Sequence, residues 1–101
     1  MKSLIHYEEF GKNMGFPSMK DHFQDEPYRG MKEVIDYLKD GQITYVTAAQ
    51  NVDLYSGKTF SGFLCGMTDG QYSWNNALPY YIENYNLKLD DDFIEYVLNK
   101  Q

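Results

Sequence analysis

Apolar positions with helical spacing recur along this chain of 101 residues. Between residues 31 and 38 they fall at i, i+3, i+4 and i+7, which predicts an amphipathic helix ending at Gly41. The stripe consists of Met31, Val34, Ile35 and Leu38. The same spacing predicts a helix that starts near Leu78 and closes at Asn86, and a last helix with Asp90 as its N-cap.

The N-terminal segment carries a shorter version of this pattern. Leu4, Tyr7 and Phe10 lie at helical offsets, and Gly15 offers a stop. These positions predict a helix over residues 4–14, which Pro17 prevents from extending further.

The central part of the chain changes to a period of two, which is typical of β-strands. From Ile43 onward the alternation predicts a strand with Ile43, Tyr45 and Thr47 on one face. Gln50 and Asn51 are then predicted to turn the chain. Further strands are predicted over residues 52–55, 59–67 and 71–74.

These elements together predict one α+β domain over residues 1–101. A three- or four-stranded antiparallel meander spans about residues 43–74, with N-terminal and C-terminal helices packed on it. Gly62 and Gly66 alternate with larger residues, so one face of their strand is thin. We expect a large side chain or a helix to lie close against that face.

Composition narrows the classes of partner and compartment. Fifteen acidic against nine basic residues give a net charge of −6, with no basic stripe, so direct nucleic-acid binding is not expected. No apolar run approaches membrane-spanning length and no signal-peptide pattern is present, which predicts a cytoplasmic protein without membrane contact. The single cysteine, Cys65, excludes an intramolecular disulfide and favours a reducing compartment.

Catalytic, metal-binding and cofactor-binding patterns are weak throughout the chain. The histidines His6 and His22 are separated by a predicted helix break, which argues against a shared metal. Cys65 lies between apolar neighbours and is better explained as a small buried residue than as a nucleophile. The acidic run over residues 90–92 lacks the spacing of a calcium loop and suits a helix start. No catalytic residue, metal or cofactor is therefore predicted.

The C-terminal aromatic residues are the predicted contact surface. Tyr72 and Trp74 lie two apart on a predicted strand and share a face, whereas Tyr80 falls off the apolar stripe of its helix. Tyr and Trp carry much of the binding energy at protein interfaces. The candidate contact residues are Tyr72, Trp74, Tyr80, Asp90, Asp91 and Asp92.

The same region carries an aromatic pattern over about thirty residues. It consists of Asp69-Gly70-Gln71-Tyr72-Ser73-Trp74, Leu78-Pro79-Tyr80-Tyr81, Tyr85-Asn86-Leu87 and Phe93-Ile94-Glu95-Tyr96. This pattern resembles the C-terminal part of small uncharacterised bacterial proteins, some of them associated with mobile elements. The resemblance implies a bacterial or mobile-element protein, and it implies no activity or site residue.

Three functional hypotheses follow. The first is a non-enzymatic protein-interaction module, of which inhibitors and immunity proteins are versions, binding an unidentified protein or a second copy of itself. The second is a small enzyme or small-molecule binder with a pocket lined by tyrosine and aspartate. The third is an acidic mimic of nucleic acid.

Overall fold

The computed structural model describes residues 2–11 and 14–100, apart from the side chain of Ser61. This part of the chain forms an α+β fold with a four-stranded mixed sheet and three α-helices. The strands are β1 (Lys2–Ser3), β2 (Gln42–Val52), β3 (Thr59–Thr68) and β4 (Tyr72–Asn75). The helices are α1 (Met31–Lys39), α2 (Leu78–Tyr85) and α3 (Asp91–Leu98).

The sheet has the order β1-β4-β3-β2. β2, β3 and β4 form the predicted antiparallel meander, but the fourth strand is β1, which pairs parallel to β4. The expectation of a purely antiparallel sheet is therefore only partly right.

The prediction of a helix over residues 4–14 is wrong for the residues of this range that the structure describes. The backbone N–H groups of Lys2 and Leu4 donate to the carbonyl oxygens of Gln71 and Ser73, at 2.9 and 2.8 Å. This pairing with β4 holds the start of the chain extended, and only a 3₁₀ turn forms at Glu8–Phe10. Residues 12 and 13 of the predicted helix lie outside the described residues.

The predicted turn at Gln50 and Asn51 is also wrong. β2 continues to Val52, and irregular pairing with β3 between residues 46 and 50 takes up the extra length. The turn follows at Asp53, whose side-chain carboxylate accepts backbone N–H groups two and three residues later. The separate strand predicted over residues 52–55 does not form.

A second irregularity in β2, at residue 44, changes which side chains share a face. Ile43 lies opposite Met67, and Tyr45 lies opposite Gly66. Directly opposite residues of neighbouring strands share a face, so Ile43 and Tyr45 point to opposite faces, contrary to the prediction. The Tyr45 ring lies against Gly66, where a Cβ would come within 2.1 Å of it. The expected close contact is confirmed there, but Gly62 has no such neighbour within 4 Å.

The helices form close to their predicted positions, because their determinants are local. α1 carries the apolar stripe, α2 ends at Asn86 with a left-handed φ of 55°, and α3 begins after Asp90. All three contribute to one buried cluster with β3 and β4. Its largest side chains include Leu38, Tyr81, Ile82 and Phe93. The core therefore lies between the helices and the β3–β4 part of the sheet.

Candidate protein-interaction surface

Trp74 belongs to the core. Its side chain is 2% exposed, and its indole N–H donates to the carbonyl oxygen of Leu38 at 3.1 Å. A Cβ on Gly41 would lie only 2.5 Å from the indole ring, so the chain passes directly over it after α1. The predicted contact role of Trp74 does not fit this fold, because the ring is enclosed between α1 and the sheet.

Tyr72 is half-buried beside α3. Its ring packs edge-on against those of Phe93 and Tyr96, with centroid distances of 4.9 Å in both cases. Most of the ring is therefore used in holding α3 on the sheet.

Tyr80 is half-buried at the other end of β3. Its ring stacks on Phe60 at a centroid distance of 3.6 Å, and its hydroxyl donates to Asp53 Oδ2 at 2.8 Å. Phe60 lies near the start of β3, whereas Tyr72 lies beyond the end of that strand. The predicted aromatic surface is therefore divided, and its members do not form one patch.

The acidic residues 90–92 lie exposed at the start of α3. Asp90 occupies the N-cap position as predicted, and its backbone carbonyl accepts two N–H groups of the first turn, while its side chain makes no capping bond. Asp91 forms an ion pair with Lys88 at 3.1 Å. These carboxylates complement the helix dipole, and an exposed ion pair of this kind adds little stability.

Asp53 is the centre of a buried cluster at the β2–β3 turn. It is 1% exposed and accepts the hydroxyls of Tyr80 and Tyr85 at 2.8 and 2.6 Å. It also accepts the backbone N–H groups of Tyr55 and Ser56 at 2.8 and 3.1 Å. Burial alone would raise the pKa of this carboxyl, but the four hydrogen bonds outweigh burial and lower the pKa to about 2.

Asp69 repeats this arrangement at the β3–β4 turn. Its carboxylate accepts the hydroxyls of Tyr37 and Tyr96, together with the N–H groups of Gln71 and Tyr72. Here too burial opposes ionisation, and the hydrogen bonds lower the pKa to about 2. Each hairpin turn is thus held by one aspartate and two tyrosines from the helices.

These aspartate–tyrosine clusters are poorly suited to acid–base chemistry. The carboxylates are ionised far below neutral pH, and the hydrogen bond to Asp53 raises the pKa of Tyr85 to about 12. General acids and bases work best with a pKa near the operating pH. The tyrosines whose hydroxyls donate to carboxylates are Tyr37, Tyr55, Tyr80, Tyr85 and Tyr96. Much of the tyrosine content therefore serves the fold.

β2 is the strand that the helices leave uncovered. It lies at an edge of the sheet, where β3 is the strand that pairs with it within the described residues. The exposed fractions are 62% for Ile43, 56% for Tyr45 and 66% for Val46, and Phe63 on β3 is 54% exposed. Neighbouring exposed apolar side chains of this size mark interaction surfaces.

The composition of β2 also leaves its outer edge open to pairing. The segment Gln42–Val52 contains no charged residue, no proline and no glycine. Edge strands usually carry lysine, proline or inward-pointing charges that prevent pairing with other chains. The irregularities at residues 44 and 46–50 bend β2, and they are the protective feature that this strand retains.

A groove of about 460 Å³ opens beside β2, between the sheet and α2. Its apolar floor includes Ile43, Phe60, Cys65 and Met67. On the rim Lys39 and Glu83 form an ion pair at 3.1 Å. The groove is therefore apolar inside and carries balanced charges at this part of its rim.

None of the contact residues predicted from sequence lies on β2. The sequence feature that could have indicated this surface is a predicted strand with apolar side chains at the adjacent positions Tyr45 and Val46 and with no charged residue. An amphipathic strand with one solvent face would carry polar residues at every second position instead.

Comparison with known protein families, curated proteins and solved structures finds no match to this chain. In the described ranges, no three His, Cys, Asp or Glu side chains converge as a metal-ligand set. Nor does a helix described there have the length and apolar character to cross a bilayer.

Proposed function

We propose that this chain is a non-enzymatic protein-interaction module whose binding surface is β2, together with the groove beside it. The supporting observation is an uncharged edge strand of eleven residues in which Ile43, Tyr45 and Val46 are each more than half exposed. A polypeptide that pairs with the regular parts of such an edge gains backbone hydrogen bonds there and side-chain contacts on both faces.

The class of function is the one predicted from sequence, but the binding surface is now β2 and not the C-terminal aromatic and acidic residues. Trp74 is enclosed in the core, and the Tyr80 hydroxyl is engaged with Asp53. Residues 90–92 offer exposed charge, whereas interface energy is concentrated in apolar and aromatic anchors surrounded by polar residues. β2 supplies such anchors.

The groove beside β2 would select which side chains a bound strand can carry. Successive side chains of a strand point to opposite faces, so every second one on an added strand points toward the helix side. Ile43 and Met67 line the groove on that side. Apolar residues at alternate positions of the bound strand therefore suit this surface best.

The bacterial or mobile-element origin stays a prediction from the resemblance of the C-terminal pattern, and the cytoplasmic compartment stays a prediction from composition. An inhibitor or immunity protein is one version of the proposed interaction module, and that version does not follow from the resemblance. An inhibitor that adds a strand to its target suits an open edge such as β2.

Small-molecule binding is the competing proposal, because about 460 Å³ lies within the usual range of ligand pockets. Converging polar groups would normally orient a ligand there. On this rim, however, Tyr80 donates to Asp53 and Lys39 pairs with Glu83. The acidic-mimic hypothesis rests on the net charge of −6 and on the carboxylates of residues 90–92, Glu83 and Glu95. Glu83 and Glu95 are each paired with a basic side chain, at 3.1 Å.

Site-specific photocrosslinking tests the proposed surface. A benzophenone amino acid in place of Tyr45 should form protein adducts on irradiation in bacterial cells, and adding Val46→Lys should abolish them. The matched control carries the same crosslinker in place of Asp92, which is exposed at the start of α3. Adducts from position 92 alone would move the surface to the acidic residues, and no adduct from position 45 would contradict the proposal.

A further inference from the structure

Another cavity lies at the edge of the sheet opposite β2. It is bordered by Ser3 of β1, the outer strand at that edge, and has a volume of about 260 Å³. Its lining comes from the N-terminal segment and from the chain just before α3, and includes Leu4, His6, Tyr7, His22, Leu89 and Asp90. This cavity is therefore separate from the proposed protein-interaction surface.

Tyr7 supplies this cavity with a hydroxyl that has no hydrogen-bond partner among the described residues. The residue is 9% exposed, and buried polar groups of proteins are nearly always paired. Every fully enclosed side-chain polar atom in the described part of the chain has a partner, so the Tyr7 hydroxyl reaches into the cavity. Burial, followed by the charges of Asp90 and Glu9, raises the pKa of Tyr7 to about 12. The hydroxyl therefore keeps its proton at neutral pH and can both donate and accept.

The other polar side chains of the cavity are also available to a ligand. Asp90 makes no capping bond, and the ion pair at the start of α3 joins Lys88 to Asp91 instead. His6 and His22 make ring contacts but no side-chain hydrogen bond to another described residue. Lysine and arginine are absent from the lining that the structure describes. A cation would therefore meet the Asp90 carboxylate without a competing positive charge, whereas an anion would be repelled.

We infer that this cavity binds a small primary amine in its ammonium form. An ammonium group has three donors and no acceptor, which suits the Asp90 carboxylate, the Tyr7 hydroxyl and the His22 imidazole. The histidine and carboxylate groups do not converge as a metal-ligand set in the described ranges, which favours an organic cation. Leu4 and Leu89 offer apolar walls to its alkyl chain. That chain is short, because the cavity is smaller than the roughly 300–1,000 Å³ of most ligand pockets.

Amide NMR of the full chain, titrated with butylamine at neutral pH, tests this site. Saturable shifts should appear at the amides of residues that line the cavity, such as Leu4, Tyr7 and Leu89, with a Kd on the order of 1 mM. The neutral alcohol 1-butanol has the same chain length. It should bind at least about tenfold more weakly, because it lacks the charge that Asp90 recognises.

Two substitutions at the start of α3 separate recognition from general attraction to an acidic protein. Asp90→Asn removes the charge from the cavity and should weaken butylamine binding at least about tenfold. Asparagine is also a good N-cap residue, so α3 should be retained, and the amide spectrum verifies this. Asp92→Asn makes the same change of charge at an exposed site outside the lining, and should alter the Kd less than about twofold.

Tyr7→Phe separates a ligand-binding hydroxyl from one that serves the fold. Butylamine binding should weaken about threefold to tenfold, because one hydrogen bond to a charged group is lost. The midpoint of thermal unfolding should not fall, since the hydroxyl has no partner among the described residues. Tyr85→Phe loses a bond to Asp53 and should lower the midpoint. A lower midpoint in Tyr7→Phe as well would overturn the inference, because its hydroxyl would then be paired within the fold.

Three results of the titration would also overturn the inference. The absence of saturable shifts up to about 50 mM butylamine, far above the expected Kd, would mean that the cavity holds water only. Equal affinity for 1-butanol would mean that the charge of Asp90 is not used. An equal loss of affinity in Asp92→Asn would mean that the amine is attracted to the acidic protein in general. None of these results bears on β2, which the crosslinker at position 45 tests separately.

Discussion

The two edges of the sheet differ in how their neighbours cover them. At one edge β1 pairs with β4, α1 encloses Trp74, and the adjoining turn is held by Asp69 with two tyrosines. At the other edge β2 exposes Ile43, Tyr45 and Val46 to solvent. The region richest in aromatic rings uses them internally, so aromatic content by itself does not identify a binding surface.

Truncating one side chain at each edge should show the largest contrast. Trp74→Ala should lower the free energy of unfolding by about 3–5 kcal/mol, because it empties a buried volume and loses the bond to Leu38. That loss is a large part of the stability expected for a domain of this length. Val46→Ala, at an exposed site, should cost less than about 0.5 kcal/mol.

Denaturant unfolding followed by circular dichroism measures both variants, since Trp74→Ala removes the fluorescent probe. Equal losses in the two variants would mean that β2 is as well packed as β4, and the contrast between the edges would disappear.

Acid should act on the turns at both ends of β3, whereas β2 itself contains no carboxylate. The carboxyls of Asp53 and Asp69 have a pKa of about 2 in the fold, below the ordinary 3.8, so folding favours their ionised forms. Their contribution to stability is complete above about pH 5 and is lost as the pH falls from about 4 toward 2. For Asp53 the change corresponds to roughly 2 kcal/mol.

Urea unfolding at about pH 7 and about pH 3 measures this loss through Trp74 fluorescence. Asp53→Asn is the control, and it should be less stable at neutral pH and less sensitive to acid. A free energy of unfolding that is equal at both pH values would contradict the prediction.

Removing single hydroxyl groups should give a smaller contrast. Tyr85→Phe takes one donor from Asp53, and Tyr37→Phe takes one from Asp69. Each should cost about 1.5 kcal/mol, because the lost hydrogen bond is to a charged group. Tyr45→Phe makes the same change on the exposed ring of β2 and should cost less than about 0.5 kcal/mol.

Carbon NMR of the carboxyl groups gives a second measurement on the same variants. The pKa of Asp53 should rise toward its ordinary value in Tyr85→Phe, since a hydrogen bond that favours the ionised form is gone. An unchanged pKa would show that this tyrosine does not stabilise the carboxylate.

The helices could be predicted from sequence because their signals lie within a few residues of each other. The stripe of α1, the left-handed Asn86 and the N-cap position of Asp90 are all local features. β1 could not be predicted in this way. Its two residues pair with β4 from the opposite end of the chain, and that pairing overrides the helical spacing of Leu4, Tyr7 and Phe10.

The candidate surface was less predictable than the fold, because exposure depends on how the elements pack. Alternation places Tyr72 and Trp74 on one strand, but the burial of Trp74 follows from the position of α1. Asp53 accepts hydrogen bonds from Tyr80 and Tyr85, which both belong to α2. The sequence of the turn around Asp53 does not indicate that this helix packs beside it. The openness of β2 likewise follows from helices that pack beside β3 and β4.

The smallest effect should come from Val46→Thr, which keeps the side-chain shape and adds one hydroxyl. Val46 is 66% exposed, so in dilute solution the hydroxyl stays in water and stability should change by less than about 0.5 kcal/mol. Val34→Thr is the same change at a site with 0% exposure in α1, where burial of the hydroxyl should cost at least about 1 kcal/mol.

Thermal unfolding of both variants in dilute solution measures this contrast. If Val46→Thr costs as much as Val34→Thr even in dilute solution, β2 is already covered within the monomer, and the distinction between a closed edge and an open one fails.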